Sequence, residues 1–152
     1  ILLTTVAVFA APPARSTVPV EVDRVLQPCD GYDVRVHATG QVEITTFFDQ
    51  EGNRIKEREH STVKHFVYLD GNMDFGLSET THDNSQTWFD PDTGEVLYGH
   101  YAGNPWNIHI PGVGPVFKIS GPAFYVDDYD NVVKETGNIT INGEALCAYF
   151  AS

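Results

Sequence analysis

Positive charge is scarce in this chain of 152 residues: nine Lys and Arg stand against 21 Asp and Glu, a formal charge of −12. That sign opposes the neutralisation of phosphates or of an anionic surface, so nucleic acid is not expected as a partner. Long apolar runs are missing as well. The longest, Ile1 to Ala11, has eleven residues, against the roughly 20 that a membrane-spanning helix requires. Only two cysteines are present, with no CxxC pair, which disfavours a thiolate metal site. The six histidines form neither HxH nor HExxH, and GxSxG is absent, so no spacing announces a metal or a nucleophile. No metal and no cofactor is expected. After Ser16 no window of eleven or more residues carries a sustained helical stripe; helical propensity is confined to Glu144–Ala151.

What is present at the start reads as processing sequence. The uncharged stretch Ile1–Ala11 is followed by Pro12, Pro13, Ala14 and Arg15, with small residues where a peptidase would cut. Residues 1–15 are therefore expected to be a truncated signal peptide, residues 16–28 an N-terminal extension, and residues 29–152 a single β domain. A secreted, extracellular chain with no membrane span after cleavage follows from that reading. The competing reading packs Val6, Val8 and Phe9 onto a core. In an exported protein Cys29 and Cys147 form a natural pair, and a disulfide closing so long a loop would join the first strand to the last.

Period two dominates the rest. Val34, Val36 and Ala38 alternate with Arg35 and His37, then Thr39–Gln41 lead into Val42, Ile44 and Thr46, a pattern read as a hairpin. Phe47 and Phe48 run into the turn cluster Asp49–Asn53; the charged stretch Ile55–His60 then reads as an exposed or edge strand, and Thr62–Leu69 as a strand ended by Asp70, Gly71 and Asn72. Aromatic, Asp, turn and apolar strand recur at Trp88–Tyr98 and at Tyr125–Val133, which hairpin physics explains without a repeat unit. About eight to ten strands on short connections predict an all-β fold: a single antiparallel β-barrel, or a flattened barrel or sandwich.

The ordered set Trp106–Val116, which contains His109-Ile110-Pro111-Gly112-Val113-Gly114-Pro115, then Gly121, Gly143 and Leu146-Cys147-Ala148, together with Pro28, Cys29, Gly31 and Thr39-Gly40, resembles secreted, mostly actinobacterial β-rich proteins of unassigned function. The resemblance covers the chain from about Gln27 onward. It implies export, one β domain and a terminal cysteine pair, and it implies no chemistry.

Candidate chemistry is thinner. His60 and His65 are an odd number of residues apart and fall on opposite faces of a regular strand; His37, His65 and His109 would have to converge from different strands. Asp90, Asp92, Gly94 and Glu95, and again Asp127, Asp128 and Asp130, place oxygens as calcium likes them, but Asp also simply starts turns. Ser78–Asp83 holds nucleophile, base and acid types in what reads as a polar loop, and Asp70 with Asp74 or Glu79 is a carboxylate pair of the glycosidase kind. Asn138-Ile139-Thr140 is a glycosylation sequon.

The aromatics are the stronger lead. Trp88, Phe89, Tyr98, Tyr101 and Trp106 fall within 19 residues. Facing a barrel interior they would line an apolar pocket, facing solvent they would stack on sugars, and otherwise they are core. Trp88, Tyr98, Tyr101, Trp106 and His109 are therefore the ligand-binding candidates. The expected function is non-catalytic binding of a small apolar ligand or an extracellular partner. The alternatives are a small barrel enzyme, an isomerase, cyclase or hydrolase, and a purely structural secreted module.

Overall fold

The computed structural model describes residues 11–104, 106–126, 131–135 and 137–151. Four long strands come first: β1 (Ala14–Cys29), β2 (Tyr32–Phe48), β3 (Arg54–Leu69) and β4 (Asn72–Phe89). Shorter ones follow: β5 (Val96–Gly103), β6 (Trp106–Ile110), β7 (Gly114–Ser120), β8 (Ala123–Val126), β9 (Asn131–Glu135) and β10 (Asn138–Ile141), before the helix α1 (Gly143–Phe150). They form two antiparallel sheets, one in the order β1-β2-β3-β4-β5-β8-β9, the other in the order β10-β7-β6. The fold is all-β and antiparallel, as the period-two pattern predicts. Among the described residues the large sheet does not close, and β1 and β9 are its edges.

The turns follow from local chemistry. Asp30-Gly31 and Asp70-Gly71 sit between paired strands, with Gly31 and Gly71 both at φ 80°, a conformation an L side chain resists. Between β2 and β3, Asp49 Oδ1 accepts from the Asn53 N–H at 2.8 Å. Between β4 and β5, Asp90 Oδ1 accepts from the N–H groups of Asp92 (2.8 Å) and Thr93 (3.0 Å). That carboxylate is occupied in holding a turn, which accounts for the acidic motif without calcium; Asp127, Asp128 and Asp130 lie outside the described residues. No group of three His, Cys, Asp or Glu suited to a metal ion occurs among the described residues.

The inner face of the large sheet carries Val34, Val36 and Ala38 of β2, opposite Leu69, Val67 and His65 of β3. Over its lower half lie the small sheet and α1. Val34, Val36, Val67, Ile108, Ile110, Val116, Leu146 and Phe150 make the core, each nearly closed to solvent. Burial of such apolar surface, at roughly 25 cal/mol per Å2, is the main favourable term of folding. Asn142 caps the helix, its side chain accepting from the Ala145 N–H at 3.0 Å. Cys29 and Cys147 are disulfide-bonded, with Cα atoms 5.8 Å apart and a sequence separation of 118. The bond ties β1 to α1, rather than to a last strand. The Tyr32 hydroxyl donates to the Cys147 carbonyl at 2.7 Å, a second bond to an oxygen that also accepts from the Ala151 N–H at 3.0 Å, and so ties the last turn of the helix to the start of β2. No described helix is long and apolar enough to cross a membrane.

Several expectations need correction. Residues 16–28 are no extension: they lie in β1, paired with β2 from Ala14↔Thr46 to Cys29↔Tyr32. Of the segment read as a signal peptide, residues 1–10 lie outside the described residues, and Ala14 and Arg15 already belong to β1. Ile55–His60 is not an edge, because β3 is flanked by β2 and β4 along its length. Its charges are tolerated because they leave the sheet on alternate sides. Ser78–Asp83 is not a loop but the middle of β4, so Ser78, Thr80 and His82 point away from Glu79, Thr81 and Asp83.

One acidic residue holds the lower outer face. The Tyr68 hydroxyl donates to Asp23 Oδ2 at 2.6 Å, and Arg35 approaches Asp23 Oδ1 at 2.7 Å. The Tyr68 bond first, then Arg35, holds the Asp23 carboxyl below the usual 3.8. A depressed carboxyl contributes stability above its unfolded pKa and loses it as pH falls through the folded value. Tyr68→Phe is therefore expected to move the acid-unfolding midpoint upward, read by circular dichroism between pH 5 and 2 (roughly the range in which carboxylates titrate). An unchanged midpoint would show that the bond contributes nothing.

Candidate functional site

The small sheet begins at Trp106, and above it the inner face of the large sheet continues. At that margin is a cavity of about 260 Å3, lined by Val20, Val22 and Arg24 of β1, Val36 and Ala38 of β2, Val63 and His65 of β3, Thr81 and Asp83 of β4, and Trp106. Register explains the lining: Ala38 pairs with Val22 on one side and His65 on the other, and Val63 pairs with Thr81, so these side chains share one face. Five aliphatic side chains form the floor. Trp106 forms a wall, its ring 4.4 Å from that of His65 and packed edge-on against Phe117 at 5.4 Å. The Arg24 guanidinium lies 5.8 Å over the Trp106 ring.

The polar groups of this wall are oriented by one another. His65 Nε2 and Thr81 Oγ1 are 3.0 Å apart, and the Thr81 hydroxyl donates to the Val63 carbonyl at 3.4 Å. The tautomer of the His65 ring sets which member of the pair donates. A nucleophilic role for Thr81 would need its hydroxyl to give its proton to the ring. Thr81 is also only 3% exposed and His65 only 6%.

The five candidate ligand residues fall on three surfaces. Trp106 lines the cavity. Tyr101, opposite Ser85, shares the inner face higher up. Trp88 and Tyr98 lie on the outer face, stacked with centroids 4.3 Å apart, and Lys56 Nζ sits 4.6 Å from the Trp88 ring on its β3 side. Both faces of Trp88 are thus taken within the sheet, which leaves none for a sugar to stack on. His109 is exposed on β6. Nor do His37, His65 and His109 converge: His37 is on the outer face beside Asp23 at 3.7 Å, while His65 is buried on the inner one. His60 and His65 take opposite faces, as their odd spacing predicts. Asp70 is at the β3–β4 turn, 3.7 Å from Arg35, whereas Glu79 is within β4 opposite His65 and accepts from Asn107 Nδ2 at 3.3 Å.

Sequence reasoning missed the cavity floor. Its signal was Val18, Val20 and Val22 alternating with Pro19, Glu21 and Asp23, a half-buried strand written inside the segment taken for an extension. Compared with protein-family models, with curated proteins and with solved structures, the chain matches none.

Proposed function

We propose that this chain is an exported, non-catalytic binding protein that takes a small, mostly apolar molecule at the margin of the two sheets. The observation that carries the reading is the 260 Å3 cavity with a floor of five aliphatic side chains and polar groups only on its walls. That is the chemistry of small-molecule sites, in a volume just below their usual range of roughly 300–1,000 Å3, which suits a ligand smaller than a typical drug. Arg24 and Asp83 at the walls supply orientation, and Trp106 supplies a flat apolar side. Export is supported by the disulfide, which persists in oxidising compartments, and by the apolar N-terminal sequence.

The test uses Trp106 itself. In Trp88→Phe the single remaining tryptophan reports on the cavity, and titration with anilinonaphthalene sulfonate, an apolar probe with one anion, is expected to quench it at one probe per chain. Ala38→Trp, which fills the floor, is expected to weaken the probe at least tenfold with the fold intact by circular dichroism. Probe fluorescence that survives Ala38→Trp would place binding elsewhere and end the proposal.

A further inference from the structure

β3 separates charge by sign across the large sheet. Its inward positions Glu57 and Glu59 are engaged on the inner face, where Thr46 Oγ1 donates to Glu57 at 3.1 Å and Ser85 Oγ donates to Glu59 at 2.9 Å. Its outward positions are Lys56, Arg58, His60, Thr62 and Lys64. In a chain of net charge −12 this outer line concentrates a third of the nine Lys and Arg residues. The register adds a fourth: Arg15 pairs with Thr45, and Thr45 with Arg58, so two guanidiniums flank one threonine. They start from strands two steps apart, roughly 10 Å.

Between and beside them is a trough of about 540 Å3. Besides Arg15, Thr45 and Arg58 its outer-face lining is Thr17, Glu43, His60 and Asn84. Arg15, Arg58 and His60 are exposed, and among the described residues neither arginine forms an ion pair. Of the two carboxylates in the lining, Glu59 is turned inward to Ser85, which leaves Glu43. His60 Nδ1 and Asn84 Oδ1 hold each other at 2.9 Å, fixing one side of the trough.

Two unpaired guanidiniums call for an anion. The overall charge opposes a polyanion as dense as nucleic acid, with one charge per roughly 1.7 Å of duplex, and favours a chain whose acid groups are spaced one per sugar. Glu43, Asn84, Thr17 and Thr45 are instead acceptors and donors for hydroxyls, and one carboxylate two residues along β2 from the threonine the cations flank suits a ligand that presents acid and hydroxyl groups together. We propose that this trough, independent of the apolar cavity on the opposite face, binds a carboxylate-bearing polysaccharide, with Arg15 and Arg58 on its acid groups and Glu43 on its hydroxyls.

The experiment is calorimetric titration of the 152-residue chain with hexagalacturonate and with its methyl ester. Binding of the acid at least tenfold tighter than the ester is expected, as is at least a tenfold loss in Arg15→Gln and in Arg58→Gln. Lys64→Gln, on the same face outside the trough, is expected to bind within twofold of the parent. Equal affinity for acid and ester, absence of binding at millimolar ligand, or full affinity in both arginine variants would overturn the proposal. So would association with anionic phosphatidylglycerol vesicles combined with none to hexagalacturonate. Ala38→Trp, which fills the inner cavity, is expected to leave this binding within twofold of the parent, so the two sites fail separately.

Discussion

Cys29→Ser with Cys147→Ser is expected to lower the unfolding free energy by about 5 kcal/mol, the loop-closure value for the 118 residues the bond spans. A domain of this kind has a total of roughly 5–15 kcal/mol, so the loss removes a third or more of it. The size follows from where the bond sits. Cys29 ends β1, immediately before the Asp30-Gly31 turn, and Cys147 lies in the middle of α1. The helix has eight residues, too few to persist in water without tertiary support. Its other ties include the Tyr32–Cys147 hydrogen bond, the burial of Leu146 and Phe150, and the packing of the Phe75 ring on Tyr149 and Phe150. Released, α1 is expected to fray first and to expose the core beneath. Denaturant titration of the double variant and of the reduced parent should give the same lowered midpoint. A loss below about 1 kcal/mol would mean that the unfolded chain is already compact enough for the bond to restrict nothing.

Where local chemistry decides structure, the residues were readable. Val34, Val36 and Ala38 alternate because one side of β2 meets the core, and the pattern gave strand and face together. Asp49–Asn53 and Asp90–Gly94 became turns for the reason such residues make turns. The helix at the C-terminal end and the cysteine pair were legible too. What was not legible depends on lateral order. Ile55–His60 reads as an exposed or edge strand because four of its six residues are charged and a fifth is histidine, yet β3 is interior; charge alternation looks the same in one strand whether its neighbours number one or two. Asp30-Gly31 is a strong hairpin signal, but its first strand lay in the stretch assigned to an extension, and the cavity floor was lost with it. Trp88, Tyr98 and Trp106 are close in sequence and were grouped for that reason. The reversal between β5 and β6 sends the last of them to the other sheet.

Ile108→Ala is expected to cost about 2–5 kcal/mol, the range for truncating a large aliphatic side chain in a closed core. Ile108 is 2% exposed at the centre of β6 and belongs to the cluster that joins the two sheets. The small sheet has little else to hold it there: only three short strands, whose inward positions on β6 are Trp106, Ile108 and Ile110. A void at the middle of that row cannot be closed by β6 alone, because Val36 and Val67 beneath it are fixed in long strands paired on both sides. Ile108→Val, which removes one methylene, is expected to cost only about 0.5–1.5 kcal/mol. Both are read by urea unfolding, with a shifted midpoint and an unchanged slope as the mark of a pure stability change. The functional consequence lies two residues away. Trp106 takes its position from the same strand face, so loosening Ile108 frees the wall of the cavity, and the probe should bind Ile108→Ala more weakly even where the variant is fully folded. Undiminished probe affinity in that variant would mean that Trp106 is held by His65 and Phe117 alone, and that the cavity stands independently of the core below it.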